Sequence, residues 1–490
     1  MNIQEISAEK LLDIIKEKDR KIEEQDRRIT ELEQQVQWFM EQARLVRHKQ
    51  YGTSSEQTNT EQMTIFNEAE SNADLIVPEP ELTEVKTHYR KKRTRLTTDK
   101  LPEGLPVEVI EHELPDDECT CPDCGNELHT MGRETREELK IIPAKAVIIQ
   151  HVQHVYACRT CESTSECVPI VKADMPEPVI KGGFASPEAV AHIASQKFVM
   201  ASPLYRQEQE WKQNGILLSR QTMSNWLIKA SQDWLEPIYE EMKRCLLEHD
   251  VIHSDDTVLQ VLKEPGKSPQ SKSYMWLYRT SGDAEHQLVM YEYQPDRKHN
   301  RPEEFLEGFS GYLHADGYAG YHKLPENIIV VGCWAHLRRK FFDAMIIMPK
   351  DKQPDSNAAK GVAYCDKLFD LEKQFASLTP ENRLKERERL SKPLIDEFYT
   401  WVERLNALPK SLLGKAAFYA QSQREYLVRY LLDGRLEISN NRAERSIKPF
   451  VIGRKNWIFN NTPNGARASA IYYSLVVSAK ENGLNPFEYL

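Results

Sequence analysis

Apolar residues recur at alternating spacings of four and three positions from residue 11 to residue 46, and no Gly or Pro interrupts them. This heptad predicts one long helix with a single apolar seam. β-Branched residues at the first seam position favour a parallel two-stranded coiled coil, so we expect residues 1–50 to pair two copies of the chain as a homodimer. The alternative is a long solvated helix that packs on its own protein. The first seam position is held by Ile15, Ile22, Ile29, Val36 and Ala43, and the second by Leu11, Lys18, Gln25, Leu32, Phe39 and Val46.

The periodicity disappears between residues 51 and 110, where polar, acidic and Pro-containing stretches follow one another. This composition predicts a flexible linker with little fixed structure. Within it, residues 90–95 carry five basic side chains in six positions. Such a run is usually a solvated charge cluster, but beside DNA-binding modules it would hold phosphates without reading sequence.

Two Cys-x-x-Cys pairs, Cys121 with Cys124 and Cys158 with Cys161, are separated by thirty-three residues. Each pair predicts a turn that presents two thiolates, and two such turns make a closed tetrahedral site that suits one structural Zn²⁺. The intervening residues alternate like strands, so we expect a zinc-binding module over residues 111–172. Four unrelated thiols are the alternative, and a different assignment would use the flanking cysteines, Cys119 and Cys167.

Residues 173–240 have the pattern of a helix-turn-helix. Ser186 before Pro187 marks a helix start, Gly215 breaks a second helical stretch, and Ser219 would cap a third helix. A Gly-containing turn followed by a capped helix with polar residues near its start is typical of DNA-binding helices. The groove-facing candidates are Arg220, Gln221 and Asn225, although any helical hairpin looks similar.

From residue 247 the pattern changes to strands, and these carry acidic residues. We predict one strand ending in Asp255 and Asp256, a hairpin over residues 274–294, and a strand ending in Asp316. A buried run and a basic helix follow, which is the element order of a ribonuclease H-like α/β core. We assign residues 241–490 to this core, with a helical insertion at about residues 343–433.

Carboxylates at the ends of neighbouring strands converge, and like charges sit together only when cations neutralise them. Hard ions such as Mg²⁺ take these oxygens, and two ions ~4 Å apart clamp the attacking and leaving oxygens of a phosphoryl transfer. Alone, Asp255 or Asp316 would more often be a turn or cap acid.

A third acid, Glu444, lies in the most basic stretch of the chain. Seven basic and two acidic residues fall between residues 435 and 467. An acid in such a setting suits a metal ligand beside a polyphosphate track. The alternative is a capping box, in which Asn441 caps a short helix that Pro449 ends. The basic residues expected to contact phosphates are Arg442, Arg445, Lys448, Arg454 and Lys455, with Trp457 and Phe459 available for base stacking or for the core.

Composition and charge exclude only a few of the protein classes that these motifs allow. The 490 residues carry a net charge of -10, which argues against a protein that coats DNA uniformly but allows a local basic patch. The longest apolar run, at residues 328–332, is far short of the ~20 residues that a membrane span needs. The N-terminus shows no signal peptide. We therefore expect a cytoplasmic protein without membrane association, whose nine cysteines bind metal or stay free.

Taken together, these motifs resemble the DDE transposases of the insertion-sequence 66 type, over nearly the whole chain. The resemblance implies a multidomain α+β protein whose catalytic triad falls on Asp255, Asp316 and Glu444. The family usually has Asp-Glu-Thr at the first acid, where this chain has Asp255-Asp256-Thr257, so Asp256 is the ligand if that register is wrong. The resemblance rests on the zipper with YGTSSE, CPDCG…YACRTC, PLYRQE…LSRQTMSNW, HSDDTVLQVL, LHADGYAGY, GCWAHLRRKF and SNNRAERSIKPFVIGRKNWIF.

The resemblance implies cleavage of element ends and strand transfer in the bacterial nucleoid, with two Mg²⁺ or Mn²⁺ ions at the triad and no covalent enzyme–DNA intermediate. The zinc module and helix-turn-helix would recognise terminal inverted repeats in double-stranded DNA, and the coiled coil would pair two ends. Elements of this type often encode accessory proteins. The alternatives are a DNA-binding regulator or inactive relative that binds ends without cutting, and a ribonuclease H-like nuclease without strand transfer.

Overall fold

The computed structural model describes residues 8–51, 146–157 and 170–490. The chain divides into two compact units, one made of residues 1–57 and 176–490 and the other of residues 58–175. The four predicted zinc-binding cysteines, their two alternatives and, apart from its first residue, the predicted linker with its basic run lie outside the described residues.

The N-terminal helix α1 (Ala8–Tyr51) is 44 residues long, as the uninterrupted heptad predicts. Within one chain, the seam residues Ile15, Ile22 and Ile29 expose 54%, 53% and 53% of their surface. Apolar side chains at heptad spacing on an exposed face are what pairing with a second helix would cover. The coiled-coil dimer itself stays a prediction.

Two short strands are described in the smaller unit. β1 (Val155–Ala157) pairs antiparallel with β2 (Ile170–Lys172), and β1 ends one residue before Cys158. The predicted alternation between the cysteine pairs becomes a strand at residues 155–157, whereas residues 146–154 form none.

Three helices follow, and the residues that the sequence marks set their ends. The hydroxyl of Ser186 accepts the amide of Ala189, and that of Ser219 accepts the amide of Thr222, each at 3.1 Å. Gly215 has φ +79 in the turn between the second and third helices, where a glycine is favoured. The helices are α2 (Pro187–Phe198), α3 (Leu204–Gln213) and α4 (Arg220–Ala230), and a π turn at Ser231–Leu235 leads into α5 (Glu236–Leu247).

These helices share a hydrophobic core with the region that follows. Phe198 of α2 stacks on Tyr472, with ring centroids 4.9 Å apart, and the buried Met223 and Trp226 of α4 belong to the same cluster as Leu277 of the central sheet. No break in packing therefore separates residues 176–240 from the rest of this unit. Whether α3 and α4 act as a DNA-binding helix-turn-helix stays a prediction.

A five-stranded mixed sheet lies at the centre, in the spatial order β5-β4-β3-β6-β7. β3, β4 and β5 are antiparallel, while β6 is parallel to both β3 and β7. The strands are β3 (Val251–Gln260), β4 (Lys272–Thr280), β5 (Val289–Gln294), β6 (Gly311–His314) and β7 (Ile328–Val331), with helix α6 (Asn300–Phe305) before β6.

One boundary differs from the prediction. β3 does not end at Asp255 and Asp256 but continues for four more residues, because it pairs with β4 as far as Gln260↔Lys272. Its parallel pairing with β6, by contrast, stops at His253. The acids therefore lie inside β3, at positions where β4 still pairs with it and β6 no longer does. The sequence of one strand does not reveal where each of its neighbours stops pairing.

The segment predicted as an insertion, at about residues 343–433, is largely helical, and its buried Phe398 shares one apolar cluster with Trp334 and Phe341 of the preceding helix. Val331 of β7 belongs to this cluster, so the inserted helices pack against the edge of the sheet. Helix α7 (Trp334–Ile346) leads into the segment, whose own helices are α8 (Asn357–Phe375), α9 (Pro380–Glu386), α10 (Lys392–Glu403), α11 (Leu412–Ser422) and α12 (Arg424–Val428).

Three helices end the chain: α13 (Asn441–Trp457), α14 (Pro463–Glu481) and α15 (Pro486–Tyr489). Pro449 was expected to end α13, but it lies inside the helix, which continues for eight residues. Tertiary packing overrides the proline here, because Phe450 and Gly453 beyond it are buried. Within the described part of the chain, no helix has the length and apolar character to cross a membrane.

Candidate active site

Two acids lie just beyond the last paired positions of neighbouring parallel strands. His253 of β3 is in register with His314 of β6, and Asp255 and Asp316 each follow by two residues. Adjacent strands lie ~4.8 Å apart, so this register brings both carboxylates to the same edge of the sheet. That the three acids share one metal site stays a prediction, because the set of three ligand-type side chains that the described residues bring within 4.8 Å of one another includes Glu444 but neither aspartate.

The charge crowding at this edge is strongest on Asp255. Burial, and after it the negative charges of Asp256, Asp316 and Glu444, raise the pKa of Asp255 to about 8, although the backbone amide of Asp256 opposes this by donating to Oδ1 at 2.9 Å. Glu444 is distant in the chain but acts on the same carboxyl. The three predicted acids therefore share one electrostatic neighbourhood.

The adjacent Asp256 has its own cation. Arg297 donates to Asp256 Oδ1 from Nη2 at 2.6 Å and from Nε at 3.0 Å, and its Nη2 lies 3.7 Å from Asp316 Oδ2. The guanidinium also packs 3.9 Å from the ring centroid of Tyr318, whose amide donates to Asp316 Oδ1. Burial raises the pKa of Asp256, and the pairing with Arg297 opposes that rise. No motif in the sequence pointed to Arg297.

Glu444 lies in the first turn of α13 and faces α7. Its Oε1 is 3.7 Å from His336 Nε2, and its Oε2 is 3.4 Å from Arg339 Nη2. The capping-box interpretation is wrong, because Asn440 rather than Asn441 precedes the helix and no side chain caps it. Glu444 is free of that role and is oriented by tertiary contacts.

Among the described residues, one set of three ligand-type side chains has its ligand atoms all within 4.8 Å of one another, and it consists of Cys333, His336 and Glu444. Cys333 is fully buried at the end of β7, and His336 lies in the first turn of α7. Sequence reasoning missed both residues as candidates. The available signal was the Cys-x-x-His spacing at the start of the basic helix.

Two buried histidines connect the strands of the acids to the start of α13. His253 Nδ1 is 3.1 Å from Asn440 Oδ1, and Asn440 Nδ2 donates to the carbonyl of Ser254 at 2.7 Å. The backbone amide of Glu437 donates to His314 Nε2 at 3.2 Å, and the two imidazoles stack 4.3 Å apart. Burial lowers the pKa of His253 to about 3 and also lowers that of His314, so both rings are neutral spacers.

The predicted phosphate-contacting residues of α13 divide into two groups. Arg445, Lys448 and Lys455 are exposed. Arg442 is partly buried and donates to Glu437 at 2.7 Å, whereas Arg454 donates to Thr257 at 3.2 Å; these two residues hold the helix against its surroundings. Trp457, which was considered for base stacking, lies under the ammonium of Lys197 at 4.3 Å, while Phe459 is 42% exposed.

The three groove-facing candidates of the predicted helix-turn-helix, Arg220, Gln221 and Asn225, are all exposed on α4. Arg220 also packs its guanidinium 5.7 Å from the ring centroid of Tyr205 on α3. Their accessibility is compatible with DNA contact, and their DNA-binding role stays a prediction.

The donor set at the sheet edge fits divalent metal. Asp255, Asp316 and Glu444 offer only carboxylate oxygens, the ligands that Mg²⁺ prefers. Oε1 of Glu444 is buried and has no hydrogen-bond partner among the described residues. Burial and the neighbouring acids raise the pKa of Asp255, so a cation beside this carboxyl would stabilise its charged form. A bound ion would satisfy both groups.

Comparisons with known proteins agree on one family. The family model described as "Transposase IS66 family" matches residues 182–468, the "zinc-finger binding domain of transposase IS66" matches residues 118–162, and "Transposase C of IS166 homeodomain" matches residues 38–110. The second match covers the four predicted zinc-binding cysteines.

Two relatives from Sinorhizobium fredii (strain NBRC 101917 / NGR234) resemble the chain over most of its length. "Uncharacterized protein y4qI" is 31% identical over 91% of this chain and 83% of the relative. "Uncharacterized protein y4hP" is 29% identical over 82% of this chain and 75% of the relative. Because the family model covers well over half of the chain and includes both strands and the helix that carry the acids, the chain belongs to the IS66 family of transposases.

Proposed function

We propose that this protein is a DNA transposase that cuts the ends of its element and joins them to target DNA by a two-metal mechanism at Asp255, Asp316 and Glu444. Three antiparallel strands followed by two parallel ones, in the order β5-β4-β3-β6-β7, support a ribonuclease H-like core. Family membership supports the activity class.

The observation that carries the proposal is the parallel register of β3 and β6, in which Asp255 and Asp316 each follow the paired His253 and His314 by two residues on neighbouring strands. Mere binding of DNA does not require three acids beside the strands, since acids repel phosphate. Metal-assisted phosphoryl transfer does require them. Bringing three carboxylates together costs free energy unless cations neutralise them, so we expect such a site to bind metal.

The surroundings of the two neighbouring acids support Asp255, rather than Asp256, as the first ligand. The charge of Glu444 acts on Asp255, whereas Asp256 is governed by burial, by Arg297 and by Asp316. A carboxylate that already accepts two hydrogen bonds from an arginine at one oxygen competes poorly for metal. Because Arg297 pairs with Asp256 and holds it in place, Asp255 is the neighbouring acid that can bind metal.

In the reaction, a water oxygen attacks the phosphorus at the element end, the bond from phosphorus to the 3′-oxygen breaks, and a 3′-hydroxyl is released. That hydroxyl then attacks a phosphorus in target DNA and displaces the 3′-oxygen there. Two Mg²⁺ or Mn²⁺ ions, when bound, would polarise the scissile phosphate and stabilise charge on the attacking and leaving oxygens. The three acids would hold the ions.

The chain's other residues would place the DNA. Arg445, Lys448 and Lys455 lie on the helix of Glu444 and would contact phosphates on either side of the scissile bond. We further propose that the zinc module and the α3–α4 helices bind the terminal inverted repeats. Helix α1 would pair two protomers, so that two DNA ends meet in one complex.

The test is incubation of the full-length protein with a labelled inverted repeat, Mg²⁺ and a target plasmid, scored for nicked and joined products. We expect Asp316→Asn to lose both products by at least ~10³-fold while end binding persists, because charge stabilisation at the reacting phosphate is lost. Asp370→Asn is the matched control, since Asp370 lies on α8 in an exposed pair with Lys373.

The products also separate the competing functions. Binding without cleavage in either Mg²⁺ or Mn²⁺ would establish a DNA-binding regulator and refute the proposal. Cleaved ends that never join to target DNA would establish a nuclease without strand transfer.

A further inference from the structure

We propose that Cys333, His336 and Glu444 form a second metal site, which takes a thiophilic divalent ion of the Zn²⁺ class. Their ligand atoms lie within 4.8 Å of one another. The site shares Glu444 with the proposed Mg²⁺ site, so it bears on the proposed function, but metal binding can be measured without DNA.

The separations suit one ion. Two ligands held ~2.1 Å from a tetrahedral ion lie ~3.4 Å apart, and sulfur ligands lie slightly farther. His336 Nε2 and Glu444 Oε1 are 3.7 Å apart, a distance that is long for a hydrogen bond but close to that of two ligands on one metal. Small side-chain movements would complete the coordination.

Two of the three donors, Cys333 and His336, come from one short segment of the chain. Cys333 follows β7 and precedes α7, and His336 lies in the first turn of that helix, so the Cys-x-x-His spacing presents both toward α13. The cysteine sulfur accepts the backbone amide of Asn440 at 3.2 Å, which is the kind of contact that steadies a metal-bound thiolate. This contact links the site to the segment that leads into Glu444.

The donor chemistry differs from that of the acids at the sheet edge. A thiol and an imidazole select Zn²⁺ or Co²⁺ over Mg²⁺, which prefers oxygen ligands. Three protein ligands leave a fourth position open for water or a phosphate oxygen, as in catalytic rather than structural zinc sites.

Two of the three groups, His336 and Glu444, each keep a buried polar atom without a hydrogen-bond partner among the described residues. These atoms are Nδ1 of His336 and Oε1 of Glu444. Arg339 contacts the other oxygen of Glu444 and leaves Oε1 facing the imidazole. Buried polar atoms in this state indicate a missing ligand.

The test is a Co²⁺ titration, in a thiol-free reductant, of full-length protein that has first taken up a single equivalent of Zn²⁺, which the four-cysteine module should bind before a site with three protein ligands does. We expect a sulfur-to-cobalt charge-transfer band in the near ultraviolet that saturates at one additional equivalent. Cys333→Ser should abolish the band, and His336→Gln should weaken Co²⁺ binding by at least ~10-fold. Cys245→Ser is the matched control, because Cys245 lies on α5 beside Glu241 and should leave the band unchanged.

The titration distinguishes Co²⁺ bound at the second site from Co²⁺ that has exchanged into the zinc module. It also separates failure of this inference from failure of the proposed function. A band that survives in both Cys333→Ser and His336→Gln reports the module and overturns this inference, as does wild-type protein without a band. Normal Mg²⁺-dependent cleavage alongside an absent band overturns only the second site. A saturating band in protein that never cleaves supports the site and counts against the transposase mechanism.

Discussion

Replacing Asp255 with asparagine should stabilise the protein in the absence of added Mg²⁺ while abolishing its cleavage activity. Burial, and after it the charges of three neighbouring acids, raises the pKa of the wild-type carboxyl to about 8 from the ordinary 3.8. Asparagine keeps the shape of the side chain and removes the charge. The gain in stability therefore measures the cost of burying this charge together with the repulsion from the other acids, which the proposed metals would offset.

The magnitude and sign follow from proton linkage. Between pH 3.8 and about 8, the folded state holds a proton on Asp255 that the unfolded chain has released, so wild-type stability falls as pH rises through this window and is level above it. Each tenfold change in proton affinity is worth ~1.4 kcal/mol, which sets an upper bound of ~6 kcal/mol. Because Asp255 keeps some contact with solvent, we expect ~1–3 kcal/mol near pH 8.

The assay is thermal unfolding of both proteins, followed by circular dichroism, at about pH 5 and about pH 8, with and without Mg²⁺. We expect Asp255→Asn to melt ~2–6 °C higher near pH 8 and to lose most of this advantage near pH 5. Mg²⁺ should stabilise the wild type more than the variant, and Asp370→Asn should match the wild type throughout. A variant that is less stable near pH 8, or whose advantage does not grow with pH, would refute the reasoning.

Three further substitutions test the supports of the site and the oligomeric state. Asn440→Ala should cost ~1–3 kcal/mol in denaturant unfolding, because it leaves His253 Nδ1 without its partner, and an unchanged unfolding midpoint would contradict this. Arg297→Ala should cost ~1–3 kcal/mol by leaving Asp256 unpaired, and adding Asp256→Asn should recover most of the loss; a double variant no more stable than the single one would exclude the pairing as the cause. Ile22→Asp should convert a dimer to monomer in light scattering without lowering the melting temperature of the rest, whereas an unchanged mass would rule out pairing through α1.

Sequence patterns predicted the helices and strands well where interactions between residues close in sequence determine them. Ser186 and Ser219 cap helices because a side-chain oxygen can reach an amide two or three residues ahead, whatever surrounds it. The alternation in β4 and β5 is likewise a property of neighbouring residues. The two aspartates could be chosen from sequence because each follows an apolar run.

Tertiary packing decided the features that the sequence did not reveal. The end of β3 depends on its pairing with β4, and Pro449 stays in α13 because the residues beyond it are buried. Arg297 reaches Asp256 from a loop after β5, and no spacing rule connects them. The stacked pair of His253 and His314 exists only because two strands are in register.

Glu444 shows most clearly that a sequence motif does not determine the chemical role of a residue. As an isolated residue it fits a capping box, a metal ligand or a solvated acid equally well. Its actual neighbours, His336 and Arg339, come from α7, and the helical segment between α7 and α13 packs in one apolar cluster with α7 and Val331 of β7 before the chain returns. The inserted helices thus leave α7 and α13 side by side, with Cys333 and Asn440 in direct contact where the two helices begin. The two proposed sites share Glu444, whose charge acts on Asp255 and whose carboxylate lies within 4.8 Å of the ligand atoms of Cys333 and His336, so under these proposals the identity of the metal depends on the assembled helices and not on the acidic triad alone.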